Sequence, residues 1–532
     1  MLSKQILPLK KELLNLLLYD YLSQKKELIG LYNFFPDKNG FKNAIDLIRK
    51  NKYNREVLVT ELTEQNKEVK NTSVLADKNT QLLLKENTFT VTTGHQLCLF
   101  TGPLYFVYKI FSTINLCEKL KEEFPENNFV PVYWMATEDH DFAEVNHFNV
   151  YGKQLEWKSE QKGAVGDFTT EGLTELQTSL KEILGNAPNV GNLISLFENA
   201  YIKHENLADA TRFLVNELFG AYGLVVVDGN SKKLKETFTS VFEKDIFENV
   251  PHKKVIETIS NLKDLKYESQ VNPREINCFY LENNSRARIE KQGEGYSIVG
   301  TDKNFSKAEL QTLIKTNPEK ISPNVVLRPC YQQFILPNLV YVGGPGELAY
   351  WLEYRGMFDE LGLFYPVLTP RHSITVIDSN TKQKISKLGL AVDDFSETED
   401  VLIKKYLNKN NETKELNNYR AEIEKLYGKL NEEASVIDKT LSAAIEAEKQ
   451  KALNSLANIE QKLNKAIKQR SETELNQIRS VKSKLFPENT QQERFDNFST
   501  FYSKWGKDFL DFLKSNLKYD LVSFNRTVIE EN

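Results

Sequence analysis

Cysteine is scarce in this chain and scattered. Its four positions, Cys98, Cys117, Cys278 and Cys330, show no C-x-x-C spacing. That pattern argues against a zinc ribbon or a disulfide framework and fits the reducing cytoplasm. Excess positive charge is also missing. Lys and Arg number 69 against 74 Asp and Glu, a net charge of −5 over 532 residues. The balance suits a soluble protein and offers no electrostatic footprint for nucleic acid. No apolar run approaches the ~20 residues that cross a bilayer, so no membrane partner is expected. The N-terminus, "MLSKQILPLKKELLNLLLYDYL", is interrupted by lysines and a proline and does not read as a signal peptide. The standard phosphate-binding signatures are absent too. "GHQLCLFTGP" (94–103) has no Gly-Lys-Ser/Thr after it and no G-x-G-x-x-G pattern.

What is present, up to about residue 375, is an alternation of short apolar runs with amphipathic segments. This is the pattern of βα units around a mostly parallel sheet, an α/β fold. "TFTVTT" (88–93), "NFVPVYWMA" (128–136), "GLVVVDGN" (223–230), "PNLVYVGG" (337–344) and "FYPVLTP" (364–370) read as its strands. A helix is expected from near Pro103 through "LYFVYKIFSTINLCEKLKEE". Residues 265–321 change texture. "INCFYLENNSRARIEKQGEGYSIVG" reads as a small antiparallel meander, with turns at "ENN" and "QGEG", inserted into the core.

From 376 to 487 the chain reads as a helical zone. Leu416, Tyr419, Ile423, Leu426, Leu430, Ala434, Ile437, Leu441 and Ala444 follow one another at steps of three or four. The pattern resumes at Leu453 and again at Leu475. Between 412 and 486 there is no proline, and Gly428 is the only glycine. A continuous helix over about 415–485 would be roughly 100 Å long. Such a stripe needs a partner helix, within the chain or from another subunit. Residues 488–532 carry "FSTFYSKWGKDFLDFL", whose aromatics are expected to pack back on the core as helices.

Ligands of open α/β sheets bind beyond the carboxyl ends of the strands. Three polar loops fall there: Thr93–Pro103, Thr137–His147 and Gly343–Glu347. Any one of them reads equally well as a tight turn; their shared edge is what marks a site. The second, in "WMATEDHDFAEVNH" (134–147), holds four carboxylates and two histidines. Clustered carboxylates beside a histidine suit acid/base work, so Glu138, Asp139, His140 and Asp141 are the candidate catalytic residues. The bland alternative is a solvated helix start capped by its acids. A metal reading through His140, Glu144 and His147 has helical spacing but lacks a clean ligand set, and no metal is assigned. Cys98, among Leu97, Leu99 and Phe100, reads as an inert buried thiol. "KISK" (384–387) resembles the lysine-bearing loop of class I aminoacyl-tRNA synthetases, yet it lies in a segment that reads as a capped helix.

"TTGHQLCLFTGPLYFVYK", "PVYWMATEDHDFAEVNH", "YVGGPGELAYW", "TPRHS" and "LFPENTQQERFDNF" occur in this order from residue 92 onward. Together they resemble the bacillithiol-biosynthesis cysteine-adding enzyme family, BshC. The resemblance implies a Rossmann-like core similar to nucleotidylyltransferases and class I synthetases, an inserted connective domain, and a coiled-coil domain supporting a homodimer. It also implies a cytoplasmic ligase that joins the carboxyl of cysteine to the amine of glucosaminyl-malate. That family often has glutamine at the position of His95, which makes His95 a hydrogen-bonding residue in preference to a proton carrier. Amide formation needs an activated carboxyl, so ATP or another activating nucleotide is expected. The loop positions Thr93, Gly94, His95, Gln96, Asn146, Gly343, Gly344, Gly346 and Glu347 are the candidate substrate-binding residues. Lys109, Arg328 and Arg371 join them as partners for the malate carboxylates. The rival readings are another ATP-dependent ligase or nucleotidylyltransferase on the same core, and a non-enzymatic coiled-coil scaffold.

Overall fold

A computed structural model describes the chain except residues 1, 9–10, 12–13, 283, 411–415, 520–523 and 532. The start of the helix expected at 415 and the central residue of the "ENN" turn therefore lie outside the described residues. The chain forms two compact units. One comprises Lys4–Ile374 and Glu493–Val528. The other comprises Met1–Ser3, Thr375–Gln492 and Ile529–Asn532.

The larger unit is built on a five-stranded parallel sheet. Its strands are β1 (Thr88–His95), β2 (Asn128–Met135), β3 (Val225–Asp228), β4 (Asn338–Gly343) and β5 (Val367–Pro370). Their order across the sheet is β5-β4-β1-β2-β3. The chain steps outward from β1 through β3, then returns to the other side of β1 with β4. The order reverses between β1 and β4, which makes this the switch point of a Rossmann-type α/β sheet. The strands are buried along almost their whole length, as in a sheet covered on both faces. Thr93, expected near a ligand, donates its hydroxyl to the carbonyl of Val342 at 2.8 Å and ties β1 to β4.

Helix α1 (Tyr105–Glu123) crosses from β1 to β2 with nearly every side chain of its first four turns buried. It begins two residues after Pro103. The preceding loop is wound into a 3-10 turn at Leu99–Thr101 and closed by Gly102 at φ +62°. A Cβ there would sit 2.6 Å from the Cβ of Cys98, so glycine is needed. The last segment of the chain clamps this loop. Buried Asn497 donates to the carbonyls of Phe100 and Gly102 at 2.7 and 2.6 Å. Leu104 donates its N–H to the carbonyl of Asp496. The expected meander is present as strands 278–282, 285–292, 295–298 and 304–306, joined by 321–323 and followed by a helix at 307–316. Its Tyr280, Ile289 and Ile298 share one hydrophobic core with Val132 and Trp134 of β2.

In the smaller unit the expected continuous helix is divided. Helix α3 (Asn417–Ile437) turns back into α4 (Leu441–Arg470), and α5 (Glu472–Leu485) follows after Ser471; α2 is Pro345–Leu352. The first break is an Asp-centred turn. Asp438 is extended (φ −154°, ψ 115°), and its carboxylate accepts from the N–H and hydroxyl of Thr440 at 2.9 and 2.8 Å. The α3 and α4 helices pair antiparallel, with Arg420 3.3 Å from Glu460. The seam thus finds its first partner inside the chain. "KISK" lies in helix 379–388, capped by Asp378.

Replacing Asn497 by Ala should orphan two buried carbonyls. At about 1–3 kcal/mol for each unsatisfied group, the urea midpoint should fall with an unchanged m-value. Equilibrium unfolding followed by circular dichroism reads both.

Candidate active site

A cavity of about 550 Å³ opens beyond the carboxyl ends of β1 and β4, at the switch point. Of the residues expected at a site, it is lined by Gly94, His95, Gln96, Lys109, Asp139, His140, Asp141, Arg328, Gly344, Gly346, Glu347 and Arg371. Thr93, Glu138, Asn146 and Gly343 are not among its lining residues. Thr93 is spent on the sheet. Gly343 packs on α2, where a Cβ would meet Leu348 at 2.7 Å. Glu138 is buried and paired with the fully buried ammonium of Lys235. Asn146 sits between His147, at 3.0 Å, and Glu156, at 3.4 Å.

One wall is an ion-pair network already closed on itself. The ammonium of Lys109, 1 % exposed, donates to the carbonyl of Gly94 at 2.5 Å and to Glu347 at 2.8 Å. Glu347 also accepts from the N–H of Gly344 at 2.8 Å and the hydroxyl of Tyr341 at 3.1 Å. Burial pushes Lys109 below the ordinary lysine value, with Glu347 opposing. Arg371 gives Nη2 to Glu493 at 2.7 Å and Nη1 to the carbonyl of His372 at 2.8 Å. Lys109 and Arg371 therefore arrive at the cavity with most donors occupied. Four buried polar atoms on the lining have no partner among the described residues: Nε2 of His95, Oε1 of Gln96, Oε1 of Gln332 and Nε of Arg371. Native interiors leave few such atoms, and a cluster around one cavity points to a ligand. Burial holds His95 well below its usual value, with Lys109 and Arg371 adding, so its ring is neutral.

The opposite wall is acidic, and its carboxylates differ. Asp139 accepts from Gln96 at 2.9 Å and Arg328 at 3.0 Å through one oxygen, and from the N–H of His140 at 2.8 Å through the other. Burial works to raise its pKa. The hydrogen bonding at His140 and the charges of Arg328 and Arg286 outweigh burial and hold it well below the carboxylate range. Asp139 is a fixed anion. Asp141 caps the short helix Phe142–Val145, its Oδ1 3.3 Å from the N–H of Glu144. Glu144 lies four residues further round, lining the cavity. Its pKa is raised, first by desolvation, then by the charges of Asp139 and Asp141. Asp139 and Glu144 are thus pushed in opposite directions within one cavity.

The floor is apolar, with Tyr341 and Trp351 stacked at 4.2 Å between ring centroids. Cys98 stays outside the lining. Its thiol is buried, with burial pushing it up to about 12, and it is no nucleophile at neutral pH. Sequence reasoning passed over Glu144 as a base, Arg286 and Arg494. Glu144 was visible only as a member of a metal triplet. Arg286 lies in the inserted meander. Arg494, within "QQERF", is exposed on the cavity wall with no partner among the described residues. Among the described residues no group of three or more His, Cys, Asp or Glu is placed to hold a metal ion.

Asp139 has a folded pKa below its unfolded value near 3.9, so its contribution is present above that pH and lost as pH falls through the folded value. Asp139→Asn should therefore lower stability at pH 7 by about 1–3 kcal/mol. The deficit should begin to shrink below about pH 4, where the unfolded chain binds a proton that the folded Asp139 does not. Urea titrations at pH 7 and pH 3 check this.

The chain matches two family models. Residues 2–372 match "Bacillithiol biosynthesis BshC, N-terminal Rossmann-like domain", and residues 374–529 match "Bacillithiol biosynthesis BshC, C-terminal coiled-coil domain". A protein of Flavobacterium psychrophilum is 44% identical over 507 residues, 94% of either chain. One of Flavobacterium johnsoniae is 42% identical over 512 residues, 96% of either chain. A more distant relative from Bacillus cereus is 29% identical, covering 92% of this chain and 94% of its own. Each of the three carries the name "Putative cysteine ligase BshC". With its Rossmann-like sheet and coiled-coil hairpin both matched, this chain belongs to the bacillithiol-biosynthesis BshC family.

Proposed function

We propose that this chain is a cytoplasmic ligase that joins the carboxyl of cysteine to the amine of glucosaminyl-malate. The observation that carries the reading is the switch-point cavity lined by Asp139, His140 and Glu144 with unpaired polar atoms around it, in a chain matched along its length to the BshC models. In this reading a C–N bond forms between the cysteine carbonyl carbon and the sugar nitrogen. The bond from that carbon to its activating group breaks, and the nitrogen gives up a proton. Glu144, the cavity carboxylate whose pKa is raised, takes the proton, while Asp139 stays ionised and paired with Arg328. The free guanidinium of Arg494 and the Nε–H of Arg371 are the donors available to the malate carboxylates.

An activating nucleotide fits the same cavity. Arg494 and the first N–H groups of α2, at Gly346 and Glu347, suit an anionic phosphate, while the Gly344 N–H is already taken by Glu347. Bound there, ATP would supply the activation that makes the cysteine carboxyl reactive. Lys109 and Glu347 hold the α2 turn rigid beneath it.

The exposed face of the hairpin supports a homodimer. Packing α3 on α4 half-buries Ile423, Tyr427, Leu453 and Leu456. It leaves Tyr419, Leu426, Leu430, Ile459 and Leu463 between 41% and 64% exposed. A row of apolar side chains of this kind on a soluble chain is an interaction surface, and a second copy is the proposed occupant.

Purified protein given cysteine, ATP and glucosaminyl-malate should yield bacillithiol by mass spectrometry. Product from other amines, but not from this one, would favour a different ligase, and no turnover with no ligand-induced thermal shift would favour a scaffold. Glu144→Gln should lower the rate about 10²–10⁴-fold with an unchanged melting temperature. The base must be ionised, so the wild-type rate should fall as pH drops through a value above the ordinary glutamate pKa of about 4.3, and Glu144→Gln should lose that limb. Gly344→Val should weaken ligand binding while far-UV circular dichroism stays unchanged. Leu426→Asp with Leu430→Asp should sediment as a monomer; a persistent dimer would place the interface elsewhere.

A further inference from the structure

Arg286 is the one cavity-side arginine supplied by the inserted sheet. It stands on strand 285–292, opposite Leu281, with its side chain 2 % exposed. Its guanidinium is fixed on three sides. Nε donates to the hydroxyl of Ser322 at 3.1 Å, Nη2 donates to the carbonyl of Pro323 at 3.2 Å, and the plane lies 4.1 Å from the centroid of Phe279. One nitrogen remains. Nη1 lies 2.9 Å from Nδ1 of His140 and 3.5 Å from the nearer oxygen of Asp139. Burial, with the charge of Arg328 adding, pushes Arg286 down to about 10, which leaves it a cation at neutral pH. A guanidinium has donors and no acceptor. Nδ1 of His140 also lies 3.5 Å from that oxygen of Asp139, but its shorter contact is with the guanidinium, toward which it can only accept; a neutral ring then carries its hydrogen on Nε2.

The His140 ring is half exposed, on the cavity lining, and its Nε2 has no partner among the described residues. It stands beside Asp139, whose charge is already shared between Arg328 and Gln96. We propose that Arg286 is a positioning residue that fixes His140 as a neutral Nε2–H donor, aimed at an oxygen of the reacting carboxyl group as negative charge develops on it. His140 would then stabilise charge, and the proton from the amine goes elsewhere. A donor held in advance in a partly desolvated site costs no reorganisation at the moment of reaction. The second shell that sets a histidine tautomer is usually a carbonyl or carboxylate accepting from the ring; here a cation donates to it, which selects the opposite nitrogen for the hydrogen. The catalytic half of the inference rests on the ligase reading, and the tautomer half does not.

The test separates the two. Full-length protein labelled with ¹⁵N in histidine is observed through long-range ¹⁵N–¹H correlations at neutral pH, with His140 assigned from the signals lost in His140→Gln. The expected pattern is a bare Nδ1 and a hydrogen on Nε2. A hydrogen on Nδ1, or on both nitrogens, overturns the inference whatever the activity. In Arg286→Lys and Arg286→Gln, whichever retains the wild-type circular dichroism spectrum, the pattern should shift toward Nδ1–H or an exchanging mixture; an unchanged pattern overturns the role of Arg286. In the ligation assay, His140→Ala should lower kcat by about 10²-fold, as loss of a charge-stabilising donor does, with KM moving far less. His140→Gln, which can still donate, should recover part of that loss. Equal losses for Ala and Gln, or a loss confined to KM, would sink the donor role. Absence of turnover in the wild-type protein would sink the ligase reading and leave the tautomer result standing.

Discussion

The rest of the site depends on one buried ammonium. Lys109 lies in the second turn of α1 with its ammonium 1 % exposed, and an unpaired charge there would cost several kcal/mol. It is stable only because the carbonyl of Gly94 and the carboxylate of Glu347 meet it. Those two partners belong to β1 and to the head of α2, the two elements flanking the switch point. Their position is therefore dictated by the lysine as much as the lysine's by them. Glu347 passes the constraint on, since it holds the Gly344 N–H and the Tyr341 hydroxyl. The glycine-rich turn, the end of β1 and the start of α2 become one rigid piece. Substrate can then be met by a preformed surface, with little ordering left to pay at binding.

The remaining cavity groups are organised around that rigid piece by charge. The cationic side is largely neutralised from within, by Glu347 and Glu493, so what it offers a ligand is a few directed donors and little net field. The acidic side is neutralised at Asp139 alone. Glu144 is left as the group whose protonation can change. This division of labour rests on two arginines, Arg286 and Arg328, that lie outside the βα loops where ligands of such sheets are usually sought.

The fold class could be read from the chain because β-branched runs bounded by turn residues leave few alternatives. "TFTVTT" and "GLVVVDGN" have no helical period, and the strands stand where they were expected. The pairing of β4 with β1 could not be read, since nothing local in "NLVYVG" says which strand it will join. The long helix was misjudged as continuous because breaks were sought at Pro and Gly, whereas Asp438 and Thr440 make a turn from a side chain and a hydroxyl. Within "TEDHDFAEVNH" the residue types marked the site, but not their directions. After Met135 the strand alternation ends, and turn geometry sends Glu138 to Lys235 and Asp139 to Arg328. Arg286 could not be read at all, because its role is set by the register of an inserted sheet.

The pairing of Arg371 with Glu493 has a consequence for how the molecule comes into being. These two buried charges are 122 positions apart, and the helical segment Thr375–Gln492 is encoded between them. A ribosome that has just released the last strand of the sheet has made an arginine whose counter-ion does not yet exist. Until the helical segment has also been synthesised, Arg371 must stay in water, and the loop held by Asn497 stays open. The nascent catalytic half is thus kept incomplete during translation. The first family-model segment, which ends at residue 372, therefore carries the arginine without its counter-ion, because the compact unit that holds both also needs Glu493–Val528.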